Sequence, residues 1–436
     1  MAISERIESA SQSRIQKVVL PETARSQRVW TFVFLDIIAL SMLDSVICHA
    51  LYGALPLYVE SLGGKAAFSG LLTAIFALAA GVGRILTGMV AGRYGCRLVL
   101  IWGGILLAAA NLTPLALPAL GVLLGVRFLQ GVGFSGISTA SANASAEVLP
   151  RQRLGEGMGY YGLGQSLSTV IGPALGYFLF HFGQKSVWGN DILWYGLTLI
   201  SLVLIGLAYV CCYERQPVEP RGETADSQPR KVPAAETHSR FAVRTLLARM
   251  IDAFFEPGAL SMALVCGLFM VSASFYSSFL MLFAQRNGIP NPVFFFGGTA
   301  AAMFAVRLFA GKLGDQFPPL RVLIPCLLIG MLSFLLTIPA RSTAMLALTG
   351  TLYGISLGIG FPLLNTLAYR MTHPSRWHAS TATFFLGCDL GWAAGSYLWG
   401  TIIDWRGFTA ALLASGVLML FTSALAVRFL YGKRFS

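Results

Sequence analysis

The chain has 436 residues, of which 56% are apolar and only 11% charged, and its mean hydropathy is +0.69. Soluble globular domains carry about 25% charged residues, so this composition excludes one. The net charge of +12 invites a nucleic-acid reading, but the Lys and Arg residues sit in short breaks between apolar runs and form no basic cluster interleaved with aromatics. No nucleic-acid partner is expected.

A membrane-spanning helix needs about 20 mostly apolar residues. Residues 1–29 are polar and mixed in charge, lack the pattern of a cleaved signal peptide, and are expected to stay in the cytoplasm. Apolar runs follow at 30–58, 67–92, 98–117, 120–145, 157–182 and 189–213. They resume at 259–284, 293–314, 322–340, 344–370, 378–403 and 408–431, before a short tail at 432–436. The expected fold is an all-α membrane protein with twelve transmembrane helices in two six-helix halves, 30–213 and 259–431. The linker 214–258 is rich in Pro, Glu, Arg, Gln and Thr and is expected to be largely unpacked. Its last part, 241–255, alternates Arg with Phe, Leu and Met, as a helix lying on the membrane face would.

Orientation follows from the basic residues. With the N-terminus inside, cytoplasmic segments hold 23 of the 31 Lys and Arg residues and outer loops five. An excess of this sign marks the cytoplasmic side, so both termini are expected there, in a cell (inner) membrane. The seven cysteines match neither a zinc site nor a disulfide framework and read as ordinary span residues, with Cys211-Cys212 at a span end as a candidate for acylation. No cofactor or metal is expected.

The halves carry an internal repeat. Arg84-Ile-Leu-Thr-Gly88 recurs as Arg307-Leu-Phe-Ala-Gly311, and the same offset of 223 carries Gly131 onto Gly354 and Gly172 onto Gly395. Parallel repeats of six spans are a transporter architecture.

Three motifs then carry a resemblance. The loop after span 2 reads Gly88-Met-Val-Ala-Gly-Arg93-Tyr-Gly95-Cys-Arg97, span 4 reads Arg127-Phe-Leu-Gln130-Gly131-Val-Gly133, and span 5 carries Gly159, Ser168 and Gly172-Pro173-Ala-Leu-Gly176. In this order they resemble the signatures of the major facilitator superfamily, the third resembling the glycine-rich motif of its drug:proton antiporters. The resemblance implies a conformational latch at Gly88, Arg93, Gly95 and Arg97, repeated at Gly311 and Asp315. The pattern's Asp is replaced by Gly92, and the second copy lacks its downstream Gly-Arg-Arg, so latching is expected to be weaker or one-sided. Gly172, Pro173 and Gly176 permit close helix packing and a kink. Topogenic charge and plain helix packing are the alternative readings of these motifs.

A charge at the bilayer centre costs about 2.5–3.5 kcal/mol, so intramembrane charges are candidates for function. Asp36 and Arg84 fall on consecutive spans about 9 Å from the inner boundary and are expected to form a structural ion pair. Asp44 and Arg127 reach similar depths on spans 1 and 4. A carboxylate beside an arginine and changing hydration can load and release a proton, so the two are candidates for proton coupling, with a static pair as the alternative. The stripes around them add Tyr52, Gln130 and Phe134. On span 11, Asp389 points away from the smooth face of Gly387, Gly391 and Gly395 and shares its side with Trp392. Such a carboxylate and ring would suit a polar or cationic ligand; a carboxylate satisfied between helices is the alternative. Tyr276 on the aromatic face of span 7 completes the candidate substrate residues.

No nucleotide loop, metal cluster or nucleophile triad is visible, so the chain reads as a transporter driven by an ion gradient and not as an enzyme. The reading is a monomeric secondary transporter that exports a small organic solute (a drug-like amphiphile, a sugar or a metal-chelating metabolite) in exchange for protons by alternating access. A solute importer, symporter or uniporter, and a lipid flippase are the rivals on the same fold.

Overall fold

In lipid every backbone polar group must be satisfied within the protein, which leaves helices as the natural form of long apolar segments. The computed structural model describes residues 29–150, 153–187, 189–210, 255–373 and 376–431. Among them eleven α-helices follow one another: α1 Phe32–Ser61, α2 Ala66–Tyr94, α3 Cys96–Ala116, α4 Leu120–Val148, α5 Leu154–Gln184, α6 Asp191–Val210, α7 Leu260–Arg286, α8 Val293–Gln316, α9 Pro319–Thr337, α10 Thr343–Arg370 and α11 Trp377–Leu430. Nine apolar helical segments among the described residues are long enough to cross a bilayer, and α8 adds the shorter apolar stretch Val293–Val306. The expected surface helix at 241–255, most of the linker and the tail 432–436 lie outside the described residues.

Local sequence explains the ends. The Thr31 hydroxyl accepts the Phe34 amide at 3.2 Å and starts α1, and Ser342 does the same for Met345 at 3.3 Å in α10. Gly95, at φ 89°, supplies the left-handed turn between α2 and α3. The two spans expected at 378–403 and 408–431 are two helical arms that join at Gly407 (φ 81°, ψ 177°) and are numbered together as α11. A glycine absorbs that reversal without a loop.

Within the first six helices, α1 packs on α5 and α4, α2 on α4, and α3 on α4 and α6. Within the rest, α7 packs on α11, α8 on α10, and α9 on α10 and α11. The sequence repeat has a counterpart in this packing. A side chain at Gly131 would strike the Phe76 carbonyl and Ala79, and one at Gly354 would strike the Thr299 carbonyl and Ala302, each shifted by the same 223 residues. The two groups of helices meet along α2–α11, α1–α7 and α5–α8.

One end of this meeting is sealed. Arg286 at the end of α7 reaches Glu60 at the end of α1, at 2.8 Å, and the Asp404 carboxylate accepts from the first amides of α2. There Gly70 abuts the Ser396 carbonyl, and Gly400 abuts Ala66 and Ala67. Toward this end α1 is buried on all sides from Asp44 to Val59 except at His49 and Tyr52. Toward the other end, from Phe32 to Leu43, only Phe34, Ile37, Leu40 and Ser41 are buried, so the helix is packed on one side only there.

Candidate functional site

Asp44 sits where α1 passes from its half packed on one side to its enclosed half. It is 1% exposed, and both carboxylate oxygens are buried without a hydrogen-bond partner. Arg127, on α4, is 0% exposed. Its Nη1 donates to Gln130 Oε1 at 3.0 Å, while Nη2 has no partner. The guanidinium lies 4.3 Å from the Phe76 ring centroid, a cation–π contact worth about 2 kcal/mol when desolvated. Gln130 passes the chain on, donating to Asn111 Oδ1 at 2.7 Å, and Asn111 donates to Ser201 at 3.1 Å. This network, running from α4 to α3 and α6, fixes Arg127 from behind.

Asp44, Cys48, Phe76, Arg127, Gln130 and Phe134 all line one cavity of about 10 Å³, roughly what a single water requires. Asp44 and Arg127 therefore share a chamber but make no direct bond. The static pair that stood as the alternative is not formed, although the two do converge on one cavity. One turn before Asp44, Ser41 donates to the Tyr161 hydroxyl at 2.9 Å, which also meets Ser141 at 3.0 Å.

A second centre lies between α2 and α11. Arg84 Nη1 stands 3.4 Å from Asp389 Oδ2, the side chains being 35% and 25% exposed. This corrects the expected Asp36–Arg84 pair. Consecutive α1 and α2 touch little, because α2 is packed against α4 and α11, so equal depth did not mean contact. Asp36 has an interaction of its own. Trp392, one turn beyond Asp389, faces Tyr52 of α1 with ring centroids 5.9 Å apart, and Tyr52 meets Phe76 edge-on at 6.1 Å. Rings thus join the two centres.

Tyr276 does not belong to the site. Its ring is stacked on Phe334 at 4.4 Å, and its hydroxyl meets Ser333 at 2.8 Å and Thr337 at 2.9 Å. It is a buried packing residue of α7 against α9. Of the motif residues, Gly172 and Gly176 face α1, where a side chain would strike His49 and the Ala50 carbonyl, and Pro173 packs on Gly53. Arg97 Nη2 donates to the Tyr209 carbonyl at 2.6 Å and so ties α3 to the end of α6. Gly88 and Arg93 lie in α2, and Gly311 and Asp315 in α8, but their side chains are outside the described ones. Phe76, Asn111, Tyr161 and Asp404 escaped the sequence reading. For Asn111 and Asp404 a signal existed: each is a polar residue set in or against an apolar span.

Among the described residues no group of His, Cys, Asp and Glu could hold a metal ion. The Major Facilitator Superfamily model matches residues 30–306 and 294–435. The chain is similar to the multi-drug resistance efflux pump PmrA of Streptococcus pneumoniae, 24% identical over 84% of this chain and 88% of that protein. It is also similar to the multidrug resistance protein MdtG of Salmonella arizonae, 25% identical over 85% and 88%. Among solved structures it superposes on a bacterial homologue of the human lysosomal transporter Spinster in an inward-facing, occupied conformation, with TM-score 0.71 and 15% identity over 92% of this chain and 97% of that one. An all-helical fold matched by the family model along almost its whole length places the chain in the major facilitator superfamily, as a multi-pass membrane transporter related to drug-efflux proteins.

Proposed function

We propose that the protein exports a small organic amphiphile in exchange for protons by alternating access, with twelve spans in two halves and both termini in the cytoplasm of the inner membrane. In this orientation the sealed end is the outer one and the half of α1 packed on one side only lies toward the cytoplasm. The observation that carries the reading is Asp44: a carboxylate enclosed without partners beside a water-sized cavity that also holds Arg127. A fold keeps so costly a group where its charge is used, because an unpartnered buried carboxylate exchanges a proton whenever its hydration changes. Arg127, Gln130 and Phe134 form the far wall of that chamber, and Tyr52, Trp392 and Asp389 offer an aromatic and anionic surface to the solute. Gly88, Arg93, Gly95, Arg97, Gly311 and Asp315 are assigned to the latch at the cytoplasmic end. The efflux names of PmrA and MdtG support the direction.

The test is proton release from energised inside-out vesicles over a panel of drugs, sugars and metal chelators, with wild type and Asp44→Asn side by side. A compound that collapses the gradient with wild type alone establishes antiport and names the solute class. Binding of a panel member with no proton signal in wild type would overturn antiport in favour of facilitated uptake or lipid flipping.

A further inference from the structure

The contact between Arg84 and Asp389 is a single one. At 3.4 Å it is longer than the 2.7–2.9 Å of a good charged hydrogen bond, and among the described residues the Arg84 side chain makes no other bond. Both side chains are partly exposed, so the tie is loose and can be reached. It also spans the line where the two groups of helices meet, since α2 belongs to one and α11 to the other. Gly81, one turn before Arg84, leaves room beside the carboxylate: a side chain there would meet Asp389 Oδ2 first, at 4.0 Å.

The surroundings favour a cation on Asp389. Trp392 and Tyr52 present adjoining rings at 5.9 Å, and aromatic faces attract positive charge. The indole Nε1 of Trp392 is buried without a partner, a donor waiting for an acceptor oxygen. The other arginine nearby, Arg127, lies 4.3 Å from the Phe76 ring and 5.9 Å from the Tyr52 ring, is held by Gln130, and makes no ion pair with Asp389.

We propose that Arg84 fills, in the empty transporter, the place on Asp389 that a monocationic, aromatic solute takes, so that the solute's charge unties α2 from α11 as it binds. Arg84 is then a specificity-determining residue: it sets a threshold that a cation passes by displacing it and a neutral compound does not use. The device rests on the transport reading above and deepens it with a substrate class. An aromatic monocation resting on Trp392 and Tyr52 replaces one stretched contact with charge attraction and ring contacts together, which is why displacement runs in the solute's favour.

Equilibrium binding to the purified full-length protein in nanodiscs, with no gradient, tests this apart from proton coupling. The probes are tetraphenylphosphonium, an aromatic monocation, and neutral chloramphenicol. Arg84→Gln is expected to tighten tetraphenylphosphonium about fivefold, and Asp389→Asn to weaken it about tenfold. The double variant should match Asp389→Asn, because Arg84 acts only through that carboxylate. Chloramphenicol should bind all forms alike. In wild type, spin labels on α2 and α11 should separate on adding tetraphenylphosphonium, a readout that holds even if Arg84→Gln fails to fold. Cation affinity unchanged or weakened in Arg84→Gln, labels that do not move, or no binding of tetraphenylphosphonium by wild type would each overturn the proposal. Failure of antiport would appear elsewhere, as a missing proton signal with binding intact.

Discussion

The carboxylate of Asp404, late in the first arm of α11, accepts the backbone amide of Ala67 at 2.7 Å and that of Ala66 at 3.0 Å. Those amides open α2, whose own N-cap, Lys65, supplies no side-chain bond. The first N–H groups of a helix have no intrahelical partner and carry the positive end of its dipole. A residue 338 positions away thus caps the helix, and the cap is also a joint between the two groups of helices. Asp404→Ala removes about 1 kcal/mol of capping, which translates into a roughly fivefold gain in the opened state. Labelling of a Ser69→Cys variant by a membrane-impermeant maleimide should rise accordingly, with Asp404→Asn intermediate. Unchanged labelling would mean that Glu60–Arg286 and the glycine contacts hold this end alone.

Asp44 makes the opposite prediction for stability. Its two oxygens are buried without partners, so the fold gains no hydrogen bond from the group it encloses. The isostere Asn loses no bond there, and the thermal midpoint should be unchanged or slightly higher. The same substitution should abolish solute-driven proton release. A variant that is both less stable and inactive would make Asp44 a folding residue and remove it from the mechanism.

How far the sequence reached depends on what each feature is built from. Apolar length and glycine spacing are local, so the helices and the repeat were legible, and Gly131 and Gly354 do make equivalent contacts. Depth was legible too: Asp44, Arg127, Gln130 and Phe134 meet at one cavity. Neighbourhood was not. Depth gave Arg84 the partner Asp36, whereas its contact with Asp389 comes from α2 lying on α11, and chain order carries no trace of that. Tyr276 shows the same limit, since an aromatic stripe looks alike whether it meets a cavity or Phe334.

The α1–α5 contact can be tested by comparing two glycines of one helix. A side chain at Gly176 would run into the Ala50 backbone, whereas one at Gly159 would meet nothing within 4 Å. Gly176→Val forces two helices apart and should cost about 2–4 kcal/mol of stability. Gly159→Ala should leave stability equal or raise it by up to about 1 kcal/mol, from helix propensity alone. Thermal denaturation in detergent, followed by intrinsic tryptophan fluorescence, reads both. Equal losses would mean that the motif sets the flexibility of α5 and not its approach to α1.

The entry to α7 depends on pH in a direction that can be worked out. Glu256 Oε2 receives Arg376 Nε at 2.7 Å, and Oε1 accepts the Gly258 amide at 3.3 Å. The hydrogen bond from Arg376 is the main cause that holds the Glu256 carboxyl below its ordinary value of 4.5. A group whose folded pKa is lowered stabilises the native state fully above its unfolded value, and loses that stabilisation as pH falls through the folded one. Glu256→Gln should therefore lower the thermal midpoint by a constant, small amount between pH 7 and about pH 5.5, and the gap to wild type should close below pH 4.5. The amount is small because the Arg376 side chain is about a third exposed and the pair is screened. A gap that persists to the lowest pH at which the protein stays folded would assign the loss to the Gly258 cap rather than to the charge on Glu256. A gap that closed already near pH 6 would require a raised carboxyl and would contradict the pairing with Arg376.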